Sequence, residues 1–181
     1  MKNFLLASML LIVGCGTDVV KVKRYKLAVT RGDHVYDSTF RALVNDFNAA
    51  AGLNVLFFES DVGKANSAIM VVKDLSKKEV NGVDDGIVGL GQYVITTAGD
   101  QSRHRIQFYS MNVVFDWDYL NQDYSTQEGA YNLRKLFYHE VGHGLELEHN
   151  EANKHDVMYP NIDGTKDFDE YFKYVRRYVT N

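Results

Sequence analysis

Residues 138–149 read Tyr-His-Glu-Val-Gly-His-Gly-Leu-Glu-Leu-Glu-His. His139 and His143 are four residues apart, so on an α-helix both imidazoles lie on one face and can bind one metal ion. Glu140 lies beside that metal, where its carboxylate can accept a proton from a water molecule. His149 comes six residues after His143, so the helix must end and the chain must turn back before this imidazole reaches the metal. Three protein ligands leave a fourth position for water, which is typical of a catalytic zinc site.

A second motif, Asp-Val-Met-Tyr-Pro, occupies residues 156–160. The two motifs together resemble those of the metzincin zinc proteases, H-E-x-x-H-x-x-G-x-x-H followed by a Met-turn, which commonly reads A-L-M-Y-P in the matrixin branch. The resemblance implies an endopeptidase in which a single Zn²⁺ activates a water molecule and Glu140 is the general base. The three histidines of the first motif are the ligands that it implies.

The resemblance also assigns roles to the residues of the second motif. Met158 forms a hydrophobic floor beneath the zinc and is not a ligand. Tyr159 and Pro160 shape the wall of the pocket that accepts the residue after the cut.

One position departs from the family pattern. The glycine expected three residues after the second histidine is replaced by Glu146, while Gly144 occurs two residues earlier. Either Glu146 adopts the left-handed conformation, at a cost of about 1–2 kcal/mol, or the turn is built differently, with Gly144 loosening the last helical turn.

The first fourteen residues predict a signal peptide, because Lys2 precedes a short apolar run that ends in small residues. The end of this run resembles the lipobox of bacterial lipoproteins, which implies lipid attachment at Cys15. We therefore expect an exported protein of the cell envelope, with residues 15–23 as a tether to a bacterial membrane. The alternative is a plain secretory signal. Cys15 is the only cysteine, so no other cysteine is present to cap the zinc.

The remaining residues, 24–181, predict one metzincin-like catalytic domain. Apolar patterns predict five strands and three helices. The predicted strands are residues 24–30, 53–58, 67–72, 92–97 and 103–115, and the predicted helices are 38–51, 125–147 and 167–179. The apolar stripe of the last helix predicts packing. The family resemblance implies an α+β fold: a twisted five-stranded mixed sheet with an antiparallel edge strand, packed on two helices, with a further C-terminal helix.

The edge strand is mapped to about residues 89–97, so Gly91 and Tyr93 are expected to lie in the substrate cleft. The unpaired backbone groups of such a strand can bind an extended polypeptide substrate by strand addition. An ordinary edge strand without this role is the alternative. The net charge of −4 and the lack of a basic tract argue against nucleic-acid binding, and we expect a monomer.

Several alternatives stay open. Asp84 and Asp85 are candidates for a Ca²⁺ site, and a solvated acidic turn is the plainer interpretation. His155 is a candidate spare ligand, whereas His34 and His104 are expected to be ordinary polar residues. The rival functions are a catalytically silent binding lipoprotein with a metzincin shell, and a zinc amidase acting on cell-wall peptides.

Overall fold

The computed structural model describes residues 18–31, 34–73, 75, 88–98, 104–121, 125–161 and 168–180. The predicted signal peptide, Cys15, Asp84 and Asp85 lie outside these residues. Within them the chain is an α+β protein, which confirms the predicted class.

The strands form one mixed sheet. They are β1 (Asp18–Val22), β2 (Tyr25–Arg31), β3 (Leu56–Phe58), β4 (Ser67–Val72), β5 (Gly89–Ala98) and β6 (His104–Asp116). The order β1-β6-β4-β2-β3 is parallel throughout, and β5 pairs antiparallel with β6. Of the described strands only β6 pairs with β5, so β5 is the antiparallel edge strand, as predicted.

The sheet has one strand more than the five that we predicted. The extra strand, β1, lies in the segment assigned to a tether and pairs with the first half of β6, Asp18 with His104 through Val22 with Phe108. The second half of β6 pairs with β4, from Ala68 with Asn112 to Val72 with Asp116. The thirteen residues of β6 are long enough to pair with both strands, one after the other, along one edge.

The helices are α1 (Asp37–Ala51), the short α2 (Trp117–Leu120), α3 (Gln127–Gly144) and α4 (Asp169–Thr180). Gly52 ends α1 with a left-handed φ of 67°, as expected at a helix C-terminus. Thr126 caps α3 by accepting a hydrogen bond from the Gly129 N–H. None of the described helices is long and apolar enough to cross a membrane.

Buried aromatic rings join α1, α3, α4 and β6. Phe137 of α3 stacks on Phe115 of β6, with ring centroids 6.3 Å apart. Phe47 of α1 meets Tyr138 of α3 edge to face at 5.4 Å, and Tyr171 of α4 donates a 2.6 Å hydrogen bond to the Tyr138 carbonyl. This core holds α3 rigidly beneath β5 and β6, which is where the histidine motif lies.

Candidate metal centre

Three imidazoles converge at the C-terminal end of α3. The Nε2 atoms of His139, His143 and His149 are 3.2 Å apart in each of the three pairs. A tetrahedral zinc site with Zn–N bonds of about 2.0–2.1 Å requires nitrogens separated by about 3.3–3.4 Å. These residues can therefore hold a metal ion, and their spacing is compatible with zinc.

Backbone carbonyls fix the tautomers of the two helical histidines. The Nδ1 of His139 lies 2.8 Å from the Val157 carbonyl, and the Nδ1 of His143 lies 2.8 Å from the Leu147 carbonyl. Because a carbonyl can only accept, each Nδ1 carries the proton and each Nε2 keeps its lone pair for a metal. Burial lowers the pKa of His139 to about 4 and also lowers the pKa of His143. Both imidazoles are therefore neutral at pH 7, as metal ligands must be.

The turn that delivers His149 begins at Glu146. The Glu146 N–H donates to the His143 carbonyl at 3.1 Å, and the Leu147 N–H donates to the Gly142 carbonyl at 2.9 Å, which is a Schellman motif. Glu146 has a φ of 66°, so the first of the two alternatives for the missing glycine holds. The strain expected at such a position is about 1–2 kcal/mol.

Gly144 lies within α3 and does not form the turn that follows the helix. A Cβ at this position would lie 2.9 Å from the Cβ of Met111 on β6. Gly144 therefore allows the last turn of α3 to approach the sheet closely. The second alternative, in which Gly144 loosens the helix, is not what the structure shows.

Met158 packs against α3 at Gly142. A Cβ on Gly142 would come within 2.4 Å of the Met158 sulfur, so the absence of a side chain at 142 makes room for the methionine. Asp156 accepts hydrogen bonds of 2.8 Å from the Met158 N–H and from Asn150 Nδ2. The Asn150 N–H donates to the Met158 carbonyl at 2.9 Å, so the residue after His149 is bound to the Met-turn.

No role was predicted for Asn150 or for Asp156, although aspartate and asparagine are typical of turns. Lys135 was also missed. This fully buried residue donates its Nζ to the Asn161 carbonyl at 2.6 Å, which joins α3 to the segment after the Met-turn. Its position four residues before His139, on the same helix face, is the signal that would have marked it.

Glu140 is buried between α3 and β5, with 4% of its surface exposed. Burial raises the pKa of Glu140 to about 8, against the opposing effect of a hydrogen bond from the Gly91 N–H. Two glycines of β5 make this contact possible. A Cβ on Gly89 would lie 2.4 Å from Glu140 Oε1, and a Cβ on Gly91 would lie 2.0 Å from the Glu140 carbonyl oxygen.

An open cavity of about 700 Å³ adjoins the histidines. Gly91, Gln92 and Tyr93 of β5 form one side, and the other side is formed by His143, Glu146, Leu147, Glu148 and His149. Gly91 and Tyr93, predicted to lie in a substrate cleft, both line this cavity, and 52% of Tyr93 is exposed.

Four other residues named from the sequence lie elsewhere. Tyr159 and Pro160 are not among the described residues that line this cavity. His34 and His155 are exposed, and the group of described residues that could hold a metal ion comprises His139, His143 and His149 without them.

No protein-family model matches the sequence, and no curated protein is significantly similar to it. The functional interpretation therefore depends on the geometry of the site.

Proposed function

We propose that the protein is a zinc-dependent hydrolase, and more particularly a metzincin-like endopeptidase of the matrixin type. The observation that carries the proposal is the convergence of three Nε2 atoms at 3.2 Å spacing beside a buried glutamate and a sheet edge. A zinc ion held by these histidines would polarise the scissile carbonyl and lower the pKa of the attacking water.

The chain's own residues supply the rest of the chemistry. Glu140 accepts the proton of the attacking water and passes it to the leaving amine. Its carboxylate is held in place by a hydrogen bond from the Gly91 N–H. Met158 supports the metal ligands from below, through its contact with Gly142.

The edge strand β5 supports an extended peptide as the substrate. Gly91, Gln92 and Tyr93 run along the cavity beside His143 and His149. Since β5 pairs on one side only among the described strands, an extended peptide can add to its other edge. A peptide bound in this way passes next to the histidines and Glu140, which supports polypeptide over a small-molecule substrate.

The test uses the full-length protein with zinc, an unfolded protein substrate and a mixed peptide library. Glu140→Ala removes the base, a chelator removes the metal, and Glu128→Ala is the matched control. Glu128 lies in the first turn of the same helix and is exposed. We expect cleavage in the wild type and in Glu128→Ala, and none with Glu140→Ala or chelator.

Wild-type protein that binds one zinc ion and cleaves no peptide would refute the endopeptidase. A panel of cell-wall peptides then separates the two rival functions, because a zinc amidase cleaves them and a silent binding protein does not.

A further inference from the structure

The last helix contacts the turn that carries the third histidine. Tyr174 of α4 donates a hydrogen bond to the Leu145 carbonyl at 3.3 Å. One helical turn later, Tyr178 donates to the Glu146 carboxylate at 3.1 Å. The apolar stripe of α4 was expected to serve packing alone, yet these two hydroxyl groups reach the end of the metal-binding helix.

Tyr178 is itself held from three directions. Its hydroxyl lies 3.4 Å from that of the fully buried Tyr25, and its ring stacks on Tyr174 with centroids 5.9 Å apart. The Lys23 ammonium lies 3.9 Å from the ring centroid and also donates to the Tyr178 carbonyl. The hydroxyl group that binds Glu146 is therefore fixed relative to the sheet.

The backbone conformation of Glu146 affects His143, which precedes it, and His149, which follows it. Its N–H binds the His143 carbonyl, and the next carbonyl, of Leu147, accepts the His143 Nδ1 proton. His149 follows two residues later. A change in the backbone conformation of Glu146 would therefore move the Leu147 carbonyl, which binds His143. It would also move His149.

Glu146 is the one residue other than glycine with a positive φ among the residues that the structure describes. A glycine would adopt this φ without strain, but it would have no side chain for Tyr178 to bind. The choice of glutamate at this position is explained if its carboxylate has a role that glycine cannot fill.

We propose that Glu146 is a positioning residue for the metal centre, and that Tyr178 locks it. The hydrogen bond from Tyr178 ties the turn before His149 to α4, and a glycine at position 146 could not form this link. The inference rests on the proposed zinc site. It adds that Glu146, which is not one of the three ligands, affects how tightly zinc is bound.

The experiment measures zinc affinity of the full-length protein by competition with a chromophoric chelator. It also records the visible spectrum of bound Co²⁺, which reports coordination geometry. The variants are Tyr178→Phe, which removes the donor, Glu146→Gly, which removes the acceptor and the strain, and Glu146→Gln, whose amide oxygen still accepts. Tyr36→Phe is the matched control, because its hydroxyl also donates a hydrogen bond, to Asn121 at 3.3 Å, away from the histidines.

We expect Tyr178→Phe and Glu146→Gly to bind zinc roughly tenfold more weakly, the lower end of the effect of losing a partner outside the ligand set. Their Co²⁺ spectra should change, while Glu146→Gln and Tyr36→Phe keep the wild-type affinity and spectrum. If the Glu146 carboxylate did not position the turn, Glu146→Gly would only relieve strain. It would then bind zinc as tightly as the wild type.

Unchanged zinc affinity in Tyr178→Phe or in Glu146→Gly, with tight binding in the wild type, would overturn this inference and leave the proposed function intact. Wild-type protein that binds no zinc would overturn both.

Discussion

Replacing Gly91 by alanine should push β5 away from α3. The new Cβ would lie 2.0 Å from the Glu140 carbonyl oxygen and 2.9 Å from the His143 Cβ, whereas real contacts of a Cβ essentially never fall below 3.0 Å. The strand must therefore withdraw by about 1 Å, because a helix backbone cannot yield as a flexible side chain does. Overpacking of this kind costs about 1–3 kcal/mol.

A loss of about 2 kcal/mol would lower the melting temperature of a domain of this size by about 4–8 °C. Urea unfolding and thermal melting of the metal-free full-length protein measure the change. Gly63→Ala is the matched control, since its Cβ would meet only the exposed Asp61 carboxylate, at 3.2 Å. Equal stability of Gly91→Ala, Gly63→Ala and the wild type would refute the close packing of β5 on the Glu140 backbone.

Three further predictions concern the base, the Met-turn and the metal. Gly89→Ala places its Cβ 2.4 Å from Glu140 Oε1, so we expect the carboxylate to be displaced. Peptide hydrolysis should become about 10²-fold slower, while zinc affinity stays unchanged. A normal rate of hydrolysis would argue against Glu140 as the base. Asp156→Ala leaves the Met158 N–H and Asn150 Nδ2 without their acceptor, so it should lower the free energy of unfolding by about 1–3 kcal/mol. The control Asp61→Ala, on an exposed turn, should change the free energy of unfolding little. Zinc at about 100 times its dissociation constant should raise the free energy of unfolding by about 2.7 kcal/mol, as measured by thermal melting. An equal rise in His149→Ala would contradict ligation by His149.

The arrangement of the two histidines on α3 was predictable because it depends on local geometry. Helical periodicity alone brings His139 and His143 to one face, and their Nε2 atoms are 3.2 Å apart. The same periodicity predicted the positions of α1, α3 and α4, and β2 to β6 were found near the predicted residues.

The turn after α3 was predictable only as a choice between two structures. The spacing from His143 to His149 requires the helix to end, but it does not say which residue adopts the left-handed conformation. Packing decided the outcome, because Gly144 is needed inside the helix against Met111 and the strain therefore falls on Glu146.

The remaining contacts of the site join residues that are far apart in the sequence. Glu140 meets Gly89 and Gly91 of β5 about fifty residues earlier, and Glu146 meets Tyr178 of α4, 32 residues later. Periodicity describes which face of an element is apolar, and it carries no information on which other element will cover that face. The amino-acid spacing within residues 139–149 therefore identifies the three candidate metal ligands, whereas the position of the Glu140 carboxylate and the contacts of the turn before His149 arise only when β5 and α4 pack against α3.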